Sequence, residues 1–457
     1  MSEQGKRKRE VSELCVGWGH ITRDIIDKRS RLPALSAFVS AGVGGTIFPS
    51  FPQLSQPSYP HSESAFLQTL KYLYDWCRCG IYVRIQNGSL VMFCPFVNPQ
   101  FVNDWHDDLK WVVNNRECTM SEYLDAKQQL TGVREKIIHP KNWWANAHIL
   151  CNVMPADIWG NFMVAEYKEF FMRLCTYSSL PDAEFFLNKR DFPQIRMDRA
   201  RPFYFMYPSS GDSSNGSNRE CVKQHLPILS SYVTDGNADV PFPTCADFDV
   251  AKKPPDVNVV SWVDKRNVAL FRGSCTGCSG QRLQLAFISK SWAESPDPDR
   301  RGVLDAALTS WNNRDSVTAG GVVTFTHTRE LKLGKFIPQQ KQVVYKYLIY
   351  VDGHSAANRL SFLLASGCVT LKVDSVAHLP TSHLWFSKML QPYVHYVPVA
   401  SDYSDLHDQI IWCQQHDSEC EAIALNAREF WNQWLSADAL LDYGTHVLRE
   451  VAKYSEF

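Results

Sequence analysis

Residues 346–373 read KYLIYVDGHSAANRLSFLLASGCVTLKV. The apolar run KYLIYV (346–351) closes at Asp352-Gly353, and a second apolar run, CVTLKV (368–373), follows about twenty residues later. Short, continuously apolar runs bounded by glycine are the signature of strands buried on both faces. The stretch between them opens with small and polar residues and ends in a helical pattern, so a helix is expected over 355–366. Strand, helix and strand in this order make one βαβ unit. Working outward, VALF (268–271), VVTF (322–325) and HYVPV (395–399) read as further strands. Helical spacing recurs at 281–292, 403–416 and 419–434. Alternating strands and helices predict a parallel sheet covered on both faces.

The first half has a different texture. Residues 1–62 are rich in Gly, Pro and Ser and are expected to be irregular. A helix is expected at 64–78, followed by IYVRIQNGSLVMF (81–93), two β-prone runs joined by Asn87-Gly88, which is a strong hairpin signal. Residues 104–178 read as mostly helical, and EFFLN within LPDAEFFLNKRDFPQIR (180–196) as a short buried strand. Further strands are expected at 203–207 and 228–233, with a surface loop at 208–220. VPFPT (240–244) and KKPPD (252–256) mark a break. The expected division is an irregular segment at 1–62, a first domain at 63–255, an α/β domain at 256–435, and a final helix at 436–457 that packs back on the first domain.

Bulk properties bound the function. Apolar residues are 45% and charged residues 21%, which is the balance of a folded soluble chain. A net charge of −1 gives no general attraction to polyanions, so a nucleic-acid role would rest on the KRKR run (6–9) alone. No window has the roughly 18 apolar residues of a membrane span, and residues 1–30 contain no signal-peptide core. The fourteen cysteines are scattered, several within apolar runs, as expected of free thiols in a reducing compartment. A cytoplasmic location follows as an expectation, with no membrane span and no nucleic-acid partner.

In open α/β sheets ligands bind beyond the carboxyl ends of the strands. Two loops there carry the right chemistry. FRGSCTGCSG (271–280) offers Arg272, Gly273, Ser274, Thr276 and Gly277: a cation, hydroxyls, and glycines that admit close backbone approach. The second loop is Asp352, Gly353, His354, Ser355, Ala356, Ala357, Asn358 and Arg359. With Ser355 as N-cap, the first turn of the expected helix would aim N–H groups at an anion, and Arg359 could fork onto a phosphate. On residues alone, a surface ion pair for Arg359 and a helix-end contact for Arg272 are the favoured reading, because neither loop is a Walker motif or a GxGxxG. Cys275 and Cys278 form a CxxC without a second ligand pair for zinc. Asp247/Asp249 and Asp297/Asp299 are DxD strings, which in a metal-dependent alternative would hold a metal-bound nucleotide sugar. His354 and His395 read as lone hydrogen-bonding histidines.

RGSCTG, the 347–373 stretch, PYVHYVPVASDYSDL and LPDAEFFLNKRDFPQ together resemble the CAP10-like, Rumi-like glycosyltransferases of family 90, over about residues 180–435. The resemblance implies a GT-B-like α/β fold, with two Rossmann-like domains facing a cleft and an extra N-terminal α+β region. The 63–255 unit would then face the acceptor and the 256–435 unit would bind the nucleotide sugar. It further implies an inverting enzyme that moves glucose or xylose from UDP-glucose or UDP-xylose to a protein or glycan hydroxyl without a metal. Asp182 is the base that the resemblance implies, with Arg272 and Arg359 on the diphosphate, and Glu184 is a weaker alternative. Asp191, Tyr232, Asp239 and Thr244 are acceptor-side cleft candidates. A non-catalytic nucleotide-sugar-binding protein of the same fold is the alternative.

Overall fold

The computed structural model describes residues 20–36, 65–77, 79–97, 110–113, 116–131, 161–195, 225–277, 280–311, 316–317, 322–324, 330–376 and 382–455. The Lys6–Arg9 run, the 203–207 strand, the 208–220 loop and Cys278 lie outside them. The strands are β1 (Cys79–Gln86), β2 (Ser89–Val97), β3 (Lys110–Val113), β4 (Arg116–Cys118), β5 (Ala183–Leu187), β6 (Ile228–Ser230), β7 (Val240–Pro241), β8 (Arg266–Cys275), β9 (Leu304–Trp311), β10 (Ser316–Val317), β11 (Val322–Thr324), β12 (Tyr345–Tyr350), β13 (Val369–Val373) and β14 (Val397–Val399). The helices are α1 (His20–Ser30), α2 (Ala65–Tyr72), α3 (Met120–Thr131), α4 (Asn161–Tyr177), α5 (Cys245–Lys252), α6 (Gln281–Ala293), α7 (Leu360–Ala365), α8 (Leu406–Gln415), α9 (Asp417–Trp434) and α10 (Ala437–Ala452).

These elements form a mixed α/β architecture. One five-stranded sheet has the order β2-β1-β5-β6-β7 and another the order β14-β13-β12-β8-β9. In the second, every pairing is parallel. Counted along its own strands its order is 2-1-3-4-5, so the chain reverses direction across the sheet between β8 and β12. In open α/β sheets such a reversal is where ligands bind, beyond the carboxyl ends of the two strands. Burial explains the sequence pattern: all six residues of β12 are buried, which an alternating strand would not show.

The hairpin forms where expected. Asn87 and Gly88 have φ of 51° and 69°, as a two-residue turn with both central residues left-handed requires. Other expectations are corrected. Residues 322–325 do not join the large parallel sheet; β11 pairs with β3 in a separate four-stranded sheet, and β9 takes the place beside β8. The 104–178 region contains β3 and β4 as well as helices, and α1 lies in a segment expected to be irregular. The helix expected from Ser355 begins only at Leu360.

The largest apolar core runs from Ile81, Phe185 and Phe242 of the first half to Leu348 and Leu363 of the second. Helix α10 lies against the first half. Tyr443 donates to Pro241 O at 2.9 Å and Tyr177 donates to Asp442 Oδ1 at 2.8 Å. No helix among the described residues is long and apolar enough to cross a membrane.

Candidate active site

The site is built at the β8/β12 reversal. Gly277 has φ of 100°, and a Cβ there would lie 2.4 Å from Gly353 O, so only glycine lets these two loops touch. Arg282, in the first turn of α6, staples them. Its Nε donates to Asp352 O (2.9 Å), Nη2 to Val351 O (2.9 Å), and Nη1 to Thr276 Oγ1 (2.6 Å) and Ser274 O (3.2 Å). Every one of these partners is neutral. Burial pulls the Arg282 pKa down.

Arg359 is close by. Its Nη1 donates to Arg272 O (2.9 Å) and its Nη2 to Gln342 Oε1 (2.8 Å), while Nε is buried without an acceptor. Burial, and then the like charge of Arg282, lowers its pKa to about 10. Both guanidinium groups lie over the Phe271 ring, Arg282 at 5.9 Å and Arg359 at 6.0 Å from its centroid. Two cations thus stand together with no carboxylate bonded to either among the described residues. Such an arrangement is costly unless an anion completes it.

Arg272 behaves otherwise. Its Nη2 forks onto Asp305 at 2.8 and 2.9 Å, its Nη1 donates to Phe271 O and Asp305 O, and its Nε to Lys335 O. The expected diphosphate role does not suit a guanidinium so fully engaged; Arg282 stands in the position expected of it. Ser274 Oγ accepts from Ser310 and Thr276 Oγ1 from Arg282. Gly273 packs on the Phe271 ring, where a Cβ would approach a ring carbon to 2.9 Å.

The 352–359 loop is not a helix start. Gly353 N bonds Ser355 O, Ala356 N bonds Ser382 Oγ (2.7 Å), and Ala357 N bonds Tyr350 Oη (2.8 Å). Two of the amides expected to face an anion, those of Ala356 and Ala357, are therefore already satisfied, which corrects the N-cap assigned to Ser355. Tyr350 in turn donates to Asp352 Oδ1, whose other oxygen accepts from Ser375. His354 lies in this loop, and Asn358 is its exposed residue.

From the first half, the turn after β5 faces this loop. Asn188 accepts from Arg190 N (2.7 Å) and donates to Phe192 O (2.6 Å), closing a turn with half-exposed Asp191 at its apex. The far limb is held by Asp239, whose carboxylate accepts from Gln194 N, Ile195 N and Ser230 Oγ. Asp239 is fully buried and its pKa is raised to about 6, burial being the main cause. It positions the turn and is not itself an acceptor contact. Tyr232 links the halves. Burial first, then the nearby Asp191 carboxylate, pushes its pKa up, and Ser355 of the 352–359 loop lies close enough to offset part of that rise. Val233 and His383 add a two-way backbone bridge.

Asp182 lies at the other end of β5. Its Oδ1 accepts from Asn87 N (2.7 Å) in the hairpin turn and its Oδ2 from Ser36 N (2.9 Å). Both oxygens are thus committed to backbone donors at the amino edge of the sheet, away from the β8/β12 loops. This corrects the expectation that Asp182 is the base. Glu184 is likewise internal, bonded to Arg29 and Tyr82. Thr244 caps α5 in a reciprocal box with Asp247, so it is a helix cap and not a cleft residue. The DxD strings do not converge. Asp247 is buried on that cap while Asp249 is exposed, and Asp297 accepts from Asp299 N and pairs with Arg300 on the surface. Cys275 packs with Ala286 and Leu308 in a small core, and His395 accepts from Gln391 N.

The model of "Glycosyl transferase family 90" matches residues 99–457. The chain belongs to glycosyl transferase family 90. Uncharacterized protein 035R of Invertebrate iridescent virus 3 is 30% identical over 408 residues, covering 84% of this chain and 36% of that protein. Protein O-glucosyltransferase 2 of Danio rerio is 31% identical over 289 residues, 62% of this chain and 50% of that protein. Protein O-glucosyltransferase 3 of Homo sapiens is 31% identical over 198 residues, 42% of this chain and 33% of that protein. The chain therefore spans between about a third and a half of the length of these relatives. Sequence patterns alone do not single out Arg282, Gln342, Ser382 or Tyr350. Of these, Arg282 has a signal: a cation in the first turn of the helix after the glycine-rich loop.

Proposed function

We propose that this chain transfers a sugar from a UDP-sugar to a hydroxyl acceptor, with inversion and without a metal. The observation that carries the reading is the pair Arg282 and Arg359. Both are half-buried, both are bonded only to neutral oxygens, and they lie at the sheet's reversal point. A diphosphate supplies the missing negative charge, and the guanidinium groups stabilise the charge that develops on the departing UDP. The parallel sheet with this reversal is the donor-binding half of a GT-B-like pair, with 63–255 and 256–435 as its two units. The names of the protein O-glucosyltransferase relatives support glucose as the donor sugar and a protein hydroxyl as the acceptor.

Inverting transfer needs one base to take the acceptor proton as the hydroxyl attacks the anomeric carbon. Asp191 suits this role better than Asp182. It stands on a turn braced by Asn188 and Asp239, beside Tyr232, which lies near Ser355 of the donor loop. The bond from the anomeric carbon to the acceptor oxygen forms as the bond to UDP breaks, and the proton passes to the Asp191 carboxylate.

The test is to incubate the protein with UDP-glucose or UDP-xylose and a panel of hydroxyl acceptors, then measure UDP release and thermal stabilisation. Acceptor-dependent UDP release with one donor is the expected result. Absence of stabilisation by UDP or any nucleotide sugar would overturn the reading.

A further inference from the structure

Gln342 is buried, 2% exposed, on the short helical segment Gln339–Val344 just before β12. Its amide is bonded at both ends. Nε2 donates to Ile337 O at 2.8 Å, and Oε1 accepts from Arg359 Nη2 at 2.8 Å. The first bond settles which end of the amide faces the cation, because a carbonyl accepts only from a donor. The Arg359 side chain is therefore aimed by two neutral oxygens, Gln342 Oε1 and Arg272 O.

A carboxylate would be the stronger partner at this point. Glutamate has the same length, and its bond to a guanidinium is charge-assisted. Arg282 makes the cost of a neutral partner larger, since its like charge already depresses the Arg359 pKa. A glutamate would also hold the cation against the protein and cancel the charge that draws in an anion. The amide orients without neutralising.

We propose that Gln342 is a positioning residue for diphosphate binding: it fixes the direction of the Arg359 guanidinium while leaving its charge for the ligand. The proposal rests on the reading that Arg359 meets the donor diphosphate. It acts through Arg359 and needs no contact between Gln342 and the donor.

The experiment uses the full chain, with UDP measured by calorimetry and uridine by ligand-observed NMR. Three variants are compared: Gln342→Glu, Gln342→Met and Arg359→Ala. Gln342→Glu is expected to weaken UDP binding roughly tenfold, the scale of one charge-assisted bond, with uridine binding unchanged. Gln342→Met keeps the volume and removes the acceptor, so a smaller loss for UDP, about threefold, is expected, again with uridine unaffected. The selectivity between UDP and uridine is what a merely structural role would not move. Unchanged UDP affinity in Gln342→Glu, with a clear loss in Arg359→Ala, overturns the positioning role and leaves the donor reading standing. An equal loss for UDP and uridine in both Gln342 variants also overturns it, by showing general damage to the site. Unchanged UDP affinity in Arg359→Ala overturns the donor reading itself and this proposal with it.

Discussion

Two aspartates in one short segment, Asp182 and Asp191, have opposite fates, and the difference is set by what bonds them. Asp182 holds Ser36 N and Asn87 N, so it fastens the N-terminal segment and the hairpin turn to β5. Asp182→Ala leaves two backbone donors short of an acceptor, which is expected to lower stability by about 1–3 kcal/mol, read as a fall in the urea midpoint. Normal stability with lost turnover would return Asp182 to the chemistry. Asp247 gives a pH prediction. Burial raises its pKa to about 7, far above the usual value for an aspartate, so between about pH 4 and pH 7 the folded state binds more protons than the unfolded one. Stability therefore falls as pH rises through that window. Asp247→Asn keeps an oxygen for Thr244 N and cannot ionise, so its urea midpoint should drop less between pH 5 and pH 8 than that of the parent chain. An identical drop would remove Asp247 from the titration.

At the scale of elements, the loop contact at Gly277 is the most sensitive joint. Gly277→Ala combines a left-handed φ with a Cβ placed against Gly353 O, so the two loops must part. UDP affinity is expected to fall at least about tenfold, the equivalent of about 1.4 kcal/mol, and unchanged affinity would separate the loop contact from donor binding. Gly444 in α10 has a different constraint. A Cβ there would meet Leu174 and Phe170 of α4 at 2.9–3.0 Å, so Gly444→Ala should cost about 1–3 kcal/mol through overpacking, measured in the same urea titration. Much of this level was legible in the sequence. The largely apolar runs within β8, β12 and β13 stand out, as do the Asn87-Gly88 turn and helices α6, α8 and α9. The small residues of the 352–359 loop fit a helix, yet the helix begins only at Leu360. Hydroxyl groups of Ser382 and Tyr350, distant in sequence or from the preceding strand, take the amides of Ala356 and Ala357 and keep the chain in turns. The sheet that β11 joins is not legible in its own residues, because its partner β3 lies about two hundred residues away and periodicity carries no information on partners.

For the whole molecule, the site depends on bringing two halves together. The core continuous from Phe185 to Leu348, the Val233–His383 bridge and Tyr232, which lies near both Asp191 and Ser355, bring the Asp191 turn to the loop that carries Arg359. The sequence pointed to the parallel sheet and to its loops. It could not tell which of several cations lacks a carboxylate partner, because Arg272 meets Asp305 only once β8 and β9 are side by side. The most direct measurement is made on Asp191→Asn, with UDP-sugar turnover and UDP affinity determined on the same preparation. Turnover should fall by roughly 10²–10⁴-fold, the usual contribution of a general base, while UDP binds as it does to the parent chain. Turnover that survives in Asp191→Asn would contradict the account.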